Sequence, residues 1–91
     1  MMEIYCIVSG SVQNVRYRDY AQVSATELEV SGWVQNLSDG TVEVVAQGTP
    51  DVLKEFVEYL HEGSLGAKVE AVSVDWRTAR KMLEDFSIKH I

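Results

Sequence analysis

A chain of 91 residues has room for one hydrophobic core, so we expect a single domain over residues 1–91. The hydrophobic share of 46% argues against disorder, and no apolar run reaches the length of a membrane span. A net charge of −6 disfavours general nucleic-acid binding, which requires a basic face.

The single cysteine, Cys6, excludes an internal disulfide and a cysteine-based metal cluster. We expect a buried, unreactive thiol, because Cys6 lies within an apolar run. The first residues show no positively charged segment followed by an apolar stretch and a cleavage site, which a secretory signal would have. These observations predict a cytoplasmic protein without a membrane partner, and we expect a monomer.

The first half of the chain predicts a strand, a helix and a hairpin. Residues 2–8 are apolar on both faces, as in a central strand. Residues 17–30 have the apolar spacing of one helix face. Two β-prone runs, 33–37 and 41–47, flank Ser38-Asp39-Gly40, and an Asp-Gly pair between such runs indicates a hairpin turn.

The second half predicts a helix and two further strands. Residues 50–61 carry a continuous apolar stripe, with Thr49 as the expected N-cap and proline as the first helical residue. Residues 67–76 alternate as a strand does, residues 77–84 are polar and predict a loop, and residues 86–88 predict a short last strand.

This order predicts an α+β fold. Two split strand–helix–strand halves form a ferredoxin-like βαββαβ sandwich, in which two helices cover one face of an antiparallel sheet. The short C-terminal strand is an addition to that sandwich.

The loop between the first strand and the first helix, residues 9–18, has the composition of an anion site. A loop with a glycine and small polar residues can turn successive N–H groups inward, and the start of the following helix adds its free N–H groups and positive dipole end. Arg18 adds a planar, permanently charged fork that matches phosphate oxygens. The residues alone therefore predict a small anion site, most plausibly for phosphate.

Two stretches resemble signatures of the acylphosphatase family. In the first, Gly10, Val12, Gln13, Val15 and Arg18 match the pattern Gly-x-Val-Gln-Gly-Val-x-Phe-Arg, whereas Asn14 replaces the second glycine and Tyr17 the phenylalanine. The second signature is matched by Gly32-Trp33-Val34-Gln35-Asn36, with Gly40, Val42 and Gly48 following. The resemblance covers nearly the whole chain and weakens after about Arg77.

The resemblance implies two catalytic residues. Arg18 matches the arginine that holds the substrate phosphate, where its charge would stabilise the transition state. Asn36 matches the asparagine that orients the attacking water, and an amide can donate to and accept from water without changing its protonation state. Read without the resemblance, Arg18 is better explained as a solvated arginine on a first helical turn, and Asn36 as a turn-favouring asparagine.

The resemblance also implies that the phosphate is bound by the residues leading into the helix, namely Gln13, Asn14, Val15, Arg16, Tyr17 and Arg18. Asparagine is among the few residues that tolerate the left-handed conformation of a glycine, so Asn14 is expected to preserve the loop but to lower activity. The role of Arg16 stays open between anion attraction and an outward side chain. Tyr17 is expected to keep an aromatic core contact while its hydroxyl finds a partner.

The function implied is hydrolysis of small acyl phosphates to a carboxylate and inorganic phosphate, without metal or cofactor. An alternative is a catalytically weakened module that binds phosphate or carbamoyl phosphate. A sheet that binds single-stranded RNA is disfavoured by the acidic charge.

Overall fold

The computed structural model describes residues 1–90, and the expected domain end at residue 91 lies outside them. The predicted order of elements is confirmed: β1 (Met2–Ser11), α1 (Tyr17–Glu27), β2 (Ser31–Asn36), β3 (Val42–Gly48), α2 (Pro50–Glu62), β4 (Lys68–Thr78) and β5 (Phe86–Lys89). β4 is longer than expected at its end, because Arg77 and Thr78 continue the pairing with the start of β1.

The strands form one sheet in the order β4-β1-β3-β2-β5. The four longer strands pair antiparallel, as predicted, but β5 pairs parallel with β2, so the sheet is mixed. The reason is the connection 79–85, which carries the chain from one sheet edge to the other and reverses its direction. The strand that follows this connection places residues 88–90 beside α1.

The core lies between the sheet and the two helices. Alternate residues of β1, among them Ile4, Cys6 and Val8, point toward the helices and are fully buried. From α2 the ring of Phe56 meets Phe86 of β5 edge-on, with 5.7 Å between the ring centroids. Cys6 is a free, buried thiol, as the sequence predicted. Neither described helix is long and apolar enough to cross a membrane.

α1 ends at Glu27, three residues earlier than predicted. Glu29 adopts a left-handed conformation with φ 58°, and its N–H donates to the carbonyl of Thr26. The N–H of Val30 then reaches back to the carbonyl of Ala25 at 2.8 Å. This pair of bonds is a Schellman motif, which here uses glutamate where glycine is usual.

Two glycines allow the backbones of neighbouring strands to approach closely. A Cβ on Gly32 would lie 1.9 Å from the carbonyl oxygen of Val45, and one on Gly10 would lie 2.1 Å from that of Lys68. Gly10 also lies at a register shift between β1 and β4, which is a β-bulge. The bulge precedes the loop that leads into α1.

Candidate functional site

A pocket of about 220 Å³ opens at the N-terminal end of α1. Three parts of the chain that are distant in sequence meet there: the loop after β1, the end of β2 and the end of β5. Its walls are Val12, Asn14, Arg16, Tyr17, Arg18, Asp19, Asn36, Ile88 and His90.

The loop backbone turns sharply on the way into the helix. Asn14 has φ 63°, and Arg16, which is the N-cap of α1, has φ 61° and ψ 28°. Each left-handed residue other than glycine costs roughly 1 kcal/mol, so the fold holds this conformation against a local preference. Left-handed residues at alternate positions are how a chain turns neighbouring N–H groups toward one anion.

The backbone N–H groups of residues 14–18 donate to no described residue. The first hydrogen bond of α1 runs from the N–H of Tyr20 to the carbonyl of Arg16, so the N–H groups before it have no partner within the helix. Together with the positive end of the helix dipole, they form a set of donors suited to an anion.

Three side chains behind the pocket hold this loop in place. Gln13 donates from Nε2 to the carbonyl oxygens of Leu37 and Thr41, both at 2.8 Å, which joins the loop to the hairpin between β2 and β3. The hydroxyl of Ser64 donates to the carbonyl of Val15 at 2.9 Å.

The third side chain is Tyr17, whose ring is buried and whose hydroxyl donates to the carbonyl of Leu60 at 2.6 Å. Burial raises the pKa of the Tyr17 phenol, so it stays a neutral donor. The expected partner for the extra hydroxyl is therefore present in α2.

Arg18 lies on the first turn of α1 and is half-buried. Its Nη1 lies 3.3 Å from Nδ1 of His90 and donates to the carbonyl of Lys89 at 3.5 Å. The end of β5 thus restrains the guanidinium on one side. Arg16, by contrast, is exposed at the rim of the same pocket.

Asn36 is the last residue of β2 and pairs with Val42 of β3, so both side chains point to the helix side of the sheet. Its Oδ1 is buried and accepts no hydrogen bond from any described residue. A buried polar atom normally has a partner, and one without a partner at the wall of a pocket is suited to a small polar ligand or water.

The structure brings most of the predicted site residues together. Asn14, Arg16, Tyr17, Arg18 and Asn36 line one pocket. Gln13 and Val15 are not in the pocket wall: the Gln13 side chain donates to the hairpin, and the Val15 side chain packs against the core, so their backbone is the part left for a ligand.

The sequence alone missed four residues of the pocket wall, Val12, Asp19, Ile88 and His90. Asp19 lies in the first turn of α1, where an acidic residue is explained by the helix dipole alone and signals no site. Ile88 and His90 reach the pocket through the parallel pairing of β5 with β2, and no spacing in the sequence signals that pairing.

This arrangement favours a compact anion. Two guanidinium groups and a row of backbone donors surround a space too small for a large ligand, and an amide faces the same space. The arginine and asparagine side chains of the pocket wall can bind, orient and stabilise an anion by charge and hydrogen bonds. No cluster of three or more His, Cys, Asp or Glu side chains occurs among the residues described.

Known proteins resemble this chain over nearly its whole length. The family model for acylphosphatase matches residues 4–88. The acylphosphatase of Salinibacter ruber is 42% identical over 82 residues, which are 90% of this chain and 86% of that protein. The acylphosphatase of Thermus thermophilus is 47% identical over 76 residues, which are 84% and 86% of the two chains. The crystal structure of acylphosphatase from Bacillus subtilis superposes with a TM-score of 0.96 at 37% identity, covering 99% of this chain and 100% of that one.

Proposed function

Because this chain belongs to the acylphosphatase family and hydrolyses acyl phosphates, we propose that the pocket at the start of α1 is where the reaction takes place. The substrate is a small acyl phosphate, and one product is inorganic phosphate. The alternative of a weakened binding module is not favoured by these similarities.

The phosphate is held by Arg18 and by the backbone N–H groups of residues 13–18. The support for this assignment is that the N–H groups of residues 14–18 donate to no described residue, and that Asn14, Arg16, Tyr17 and Arg18 line one pocket of about 220 Å³. As the bond between phosphorus and the acyl oxygen breaks, these donors stabilise the charge on the transferring phosphoryl group. Arg16 adds positive potential at the rim.

Asn36 positions the attacking water. The water oxygen forms a bond to phosphorus while the bond to the bridging oxygen breaks, and the carboxylate leaves with the electron pair. The protons of the water end on the released phosphate and in the solvent. A carboxylate is already a stable anion, so no general acid is needed, and catalysis consists of positioning and electrostatics. The observation that carries this proposal is the unpartnered Oδ1 of Asn36 in the same pocket as Arg18.

Hydrolysis of an aromatic acyl phosphate without added metal tests these roles. We expect Arg18→Ala to lower kcat/KM by about a hundredfold or more and to weaken inhibition by inorganic phosphate, because it removes a charged donor. We expect Asn36→Ala to lower kcat by a similar factor while phosphate inhibition stays nearly unchanged.

Lys54→Ala is the matched control, because Lys54 is exposed on α2 and lies outside the pocket. Unfolding midpoints of all variants exclude a loss of fold as the cause. An Arg18→Ala enzyme with the turnover of the unmutated protein would remove Arg18 from the site. Asn36→Ala with full turnover would remove the water-positioning role.

We also infer that the protein works as a single-domain monomer in the cytoplasm, on small molecules rather than on nucleic acid or membranes. The buried residues of both helices and the sheet form one core within one chain, and the lone cysteine is a free thiol. The net charge of −6 agrees with a small-molecule substrate. Light scattering of the eluted protein, together with fractionation of its native cells, tests these inferences.

A further inference from the structure

The sheet face away from the helices carries a second and larger cleft. The segment 79–85 crosses this face on its way to β5, and the space between them measures about 690 Å³. We call this space the outer cleft; its floor is Trp33, Val45 and Gln47, and its rim is Glu3, Arg77, Thr78, Arg80, Lys81 and Leu83. That volume lies in the range of about 300–1,000 Å³ typical of small-molecule sites.

Gln47 gives the outer cleft a defined shape. Its side chain is only 1% exposed although it lies on the outer face of the sheet. Nε2 donates to Oε1 of Glu3 at 2.8 Å and to the carbonyl of Lys81 at 2.6 Å. Oε1 accepts from the N–H of Leu83 at 2.9 Å. A crossing segment held by buried hydrogen bonds is a preformed wall.

The outer cleft is positively charged although the protein is acidic. Three of the eight basic residues of the chain line it, namely Arg77, Arg80 and Lys81. Among the described residues that line the cleft, one is acidic, Glu3. It forms an ion pair with Arg77. Arg80 and Lys81 form no ion pair with any described residue, so their charges are available to a ligand.

Two of the three floor residues of the outer cleft, Trp33 and Val45, are apolar. The indole of Trp33 lies beside Val45, its partner in the pairing of β2 with β3. The Nζ of Lys89 lies 4.2 Å from the centroid of the Trp33 ring, which adds positive charge next to the floor. An aromatic surface next to unpaired cations complements a ligand with a flat ring and a negative charge.

We propose that the outer cleft binds an organic anion with an aromatic ring and a carboxylate or phosphate group. The ring lies on Trp33 and Val45, and the anionic group is bound by Arg80 and Lys81. None of these residues lines the pocket at the start of α1, so this binding does not depend on the proposed reaction.

The test is a titration of the isotope-labelled full chain with benzoate, phenyl phosphate and inorganic phosphate, followed by NMR. The reporters are the indole N–H of Trp33 and the backbone N–H of Leu83. The titration is repeated on Arg18→Ala, which weakens the pocket at α1. We expect saturable shifts at both reporters with an aromatic anion, unchanged in Arg18→Ala. The aromatic anion with the tighter binding identifies the preferred group.

Two variants separate the parts of the site. We expect the double variant Arg80→Ala/Lys81→Ala to weaken binding about tenfold or more, since it removes two charged donors. Trp33→Leu should abolish the preference for the aromatic anions over inorganic phosphate, and Lys54→Ala should change nothing. Absence of saturable shifts at Trp33, shifts that vanish in Arg18→Ala, or equally tight binding of inorganic phosphate would each overturn the proposal.

Discussion

At the scale of the residue, the residue type at position 14 affects both the conformation of the loop and access to its backbone donors. Asn14 is exposed at the pocket wall and left-handed, with φ 63°. Asparagine accepts this conformation more readily than most residues, so the loop keeps its turn. Its side chain, however, takes up space beside the backbone donors, where glycine would leave the approach open.

We therefore expect Asn14→Gly to raise kcat/KM or phosphate affinity. The expected factor is on the order of two to five, which is the size of a local backbone effect. Asn14→Ala is the matched control, since alanine lacks the polar group but still resists a left-handed φ, and it should lower stability by about 1 kcal/mol. Acyl phosphate hydrolysis and inhibition by inorganic phosphate measure the effect. Unchanged values for both in Asn14→Gly would refute the idea that Asn14 restrains activity.

Cys6 shows how burial controls reactivity. Its side chain is fully buried in the core, and burial raises the pKa of its thiol to about 12. The thiolate, which is the reactive form, is therefore nearly absent near neutral pH. We expect an alkylating reagent at pH 8 to modify Cys6 only as fast as the protein opens, and rapidly in urea. Mass spectrometry over time measures the rate, and equal rates with and without urea would contradict the prediction.

The same shift predicts a pH dependence of stability. The pKa of the thiol in the folded state lies above its unfolded value of about 8.5. Burial of the neutral thiol thus contributes fully below that unfolded value, and its contribution is lost as the pH rises through it toward 12. We expect the urea midpoint of Cys6→Ala to fall less steeply over this range than that of the unmutated protein. If the urea midpoints of Cys6→Ala and of the unmutated protein fell equally with pH, the Cys6 thiol would have no part in that loss of stability.

At the scale of the element, the start of α2 combines an expected residue with an unexpected geometry. Thr49 is the N-cap and is extended, as its position predicts, yet its side chain makes no capping hydrogen bond. The helix begins instead with Pro50 in its first turn, and the N–H of Leu53 donates to the carbonyl of Thr49 at 3.0 Å. The hydroxyl therefore adds little to the helix.

We expect Thr49→Ala to change the free energy of unfolding by less than about 0.5 kcal/mol, although an N-cap threonine is typically worth about 1 kcal/mol. Thr49→Asp should stabilise the protein by roughly 0.5–1 kcal/mol, because a carboxylate accepts from the free N–H groups and complements the helix dipole. Urea unfolding measures both values. A loss near 1 kcal/mol in Thr49→Ala would mean that the hydroxyl caps the helix in solution.

The sequence predicted the elements better than their ends and edges. Apolar spacing located both helices, and Asp39-Gly40 located the hairpin, because local residue types control these features. The end of α1 escaped prediction, since Glu29 adopts a conformation that its residue type does not favour. The parallel pairing of β5 also escaped it, because the direction of β5 follows from the path of the connection 79–85 between the two sheet edges, which no local pattern encodes.

The same division holds within the site. The left-handed backbone at Asn14 agrees with the resemblance, because the signature has glycine at this position and asparagine tolerates the same conformation. The double hydrogen bond of Gln13 could not be predicted from the sequence, because its acceptors on Leu37 and Thr41 lie more than twenty positions away. The contact between Arg18 and His90 could not be predicted either, because it exists only where β5 lies beside β2.

At the scale of the whole molecule, the last strand links stability to the site. Phe86 is 6% exposed and packs on Phe56, and the residues that follow it, Ile88 and His90, line the pocket. The sheet order places β5 at an edge, so it is bound to the sheet on one side only. Loss of the Phe86 contact would therefore loosen the strand that restrains Arg18.

We expect Phe86→Ala to lower the free energy of unfolding by about 3 kcal/mol or more, as is usual when a buried ring is removed. At a temperature where the variant is folded, we also expect KM to rise, because Arg18 loses its restraint. Ser87→Ala is the control, since the half-buried Ser87 precedes the pocket residues and supplies no large contact. Denaturant unfolding and steady-state kinetics measure the two effects. A variant with lowered stability and unchanged KM would separate β5 from substrate binding.

The unpartnered N–H groups of residues 14–18 have a consequence for mutation. Every residue type except proline supplies a peptide N–H, so most single substitutions between Asn14 and Tyr17 leave the donors in place and change only their surroundings. The binding groups at these positions are backbone N–H groups, so a substitution changes their direction only if it changes φ. The site is thus tolerant of most side-chain variation at its exposed positions and sensitive at a few points: proline anywhere in the loop, bulky residues at the left-handed positions, the buried ring and hydroxyl of Tyr17, and the guanidinium of Arg18.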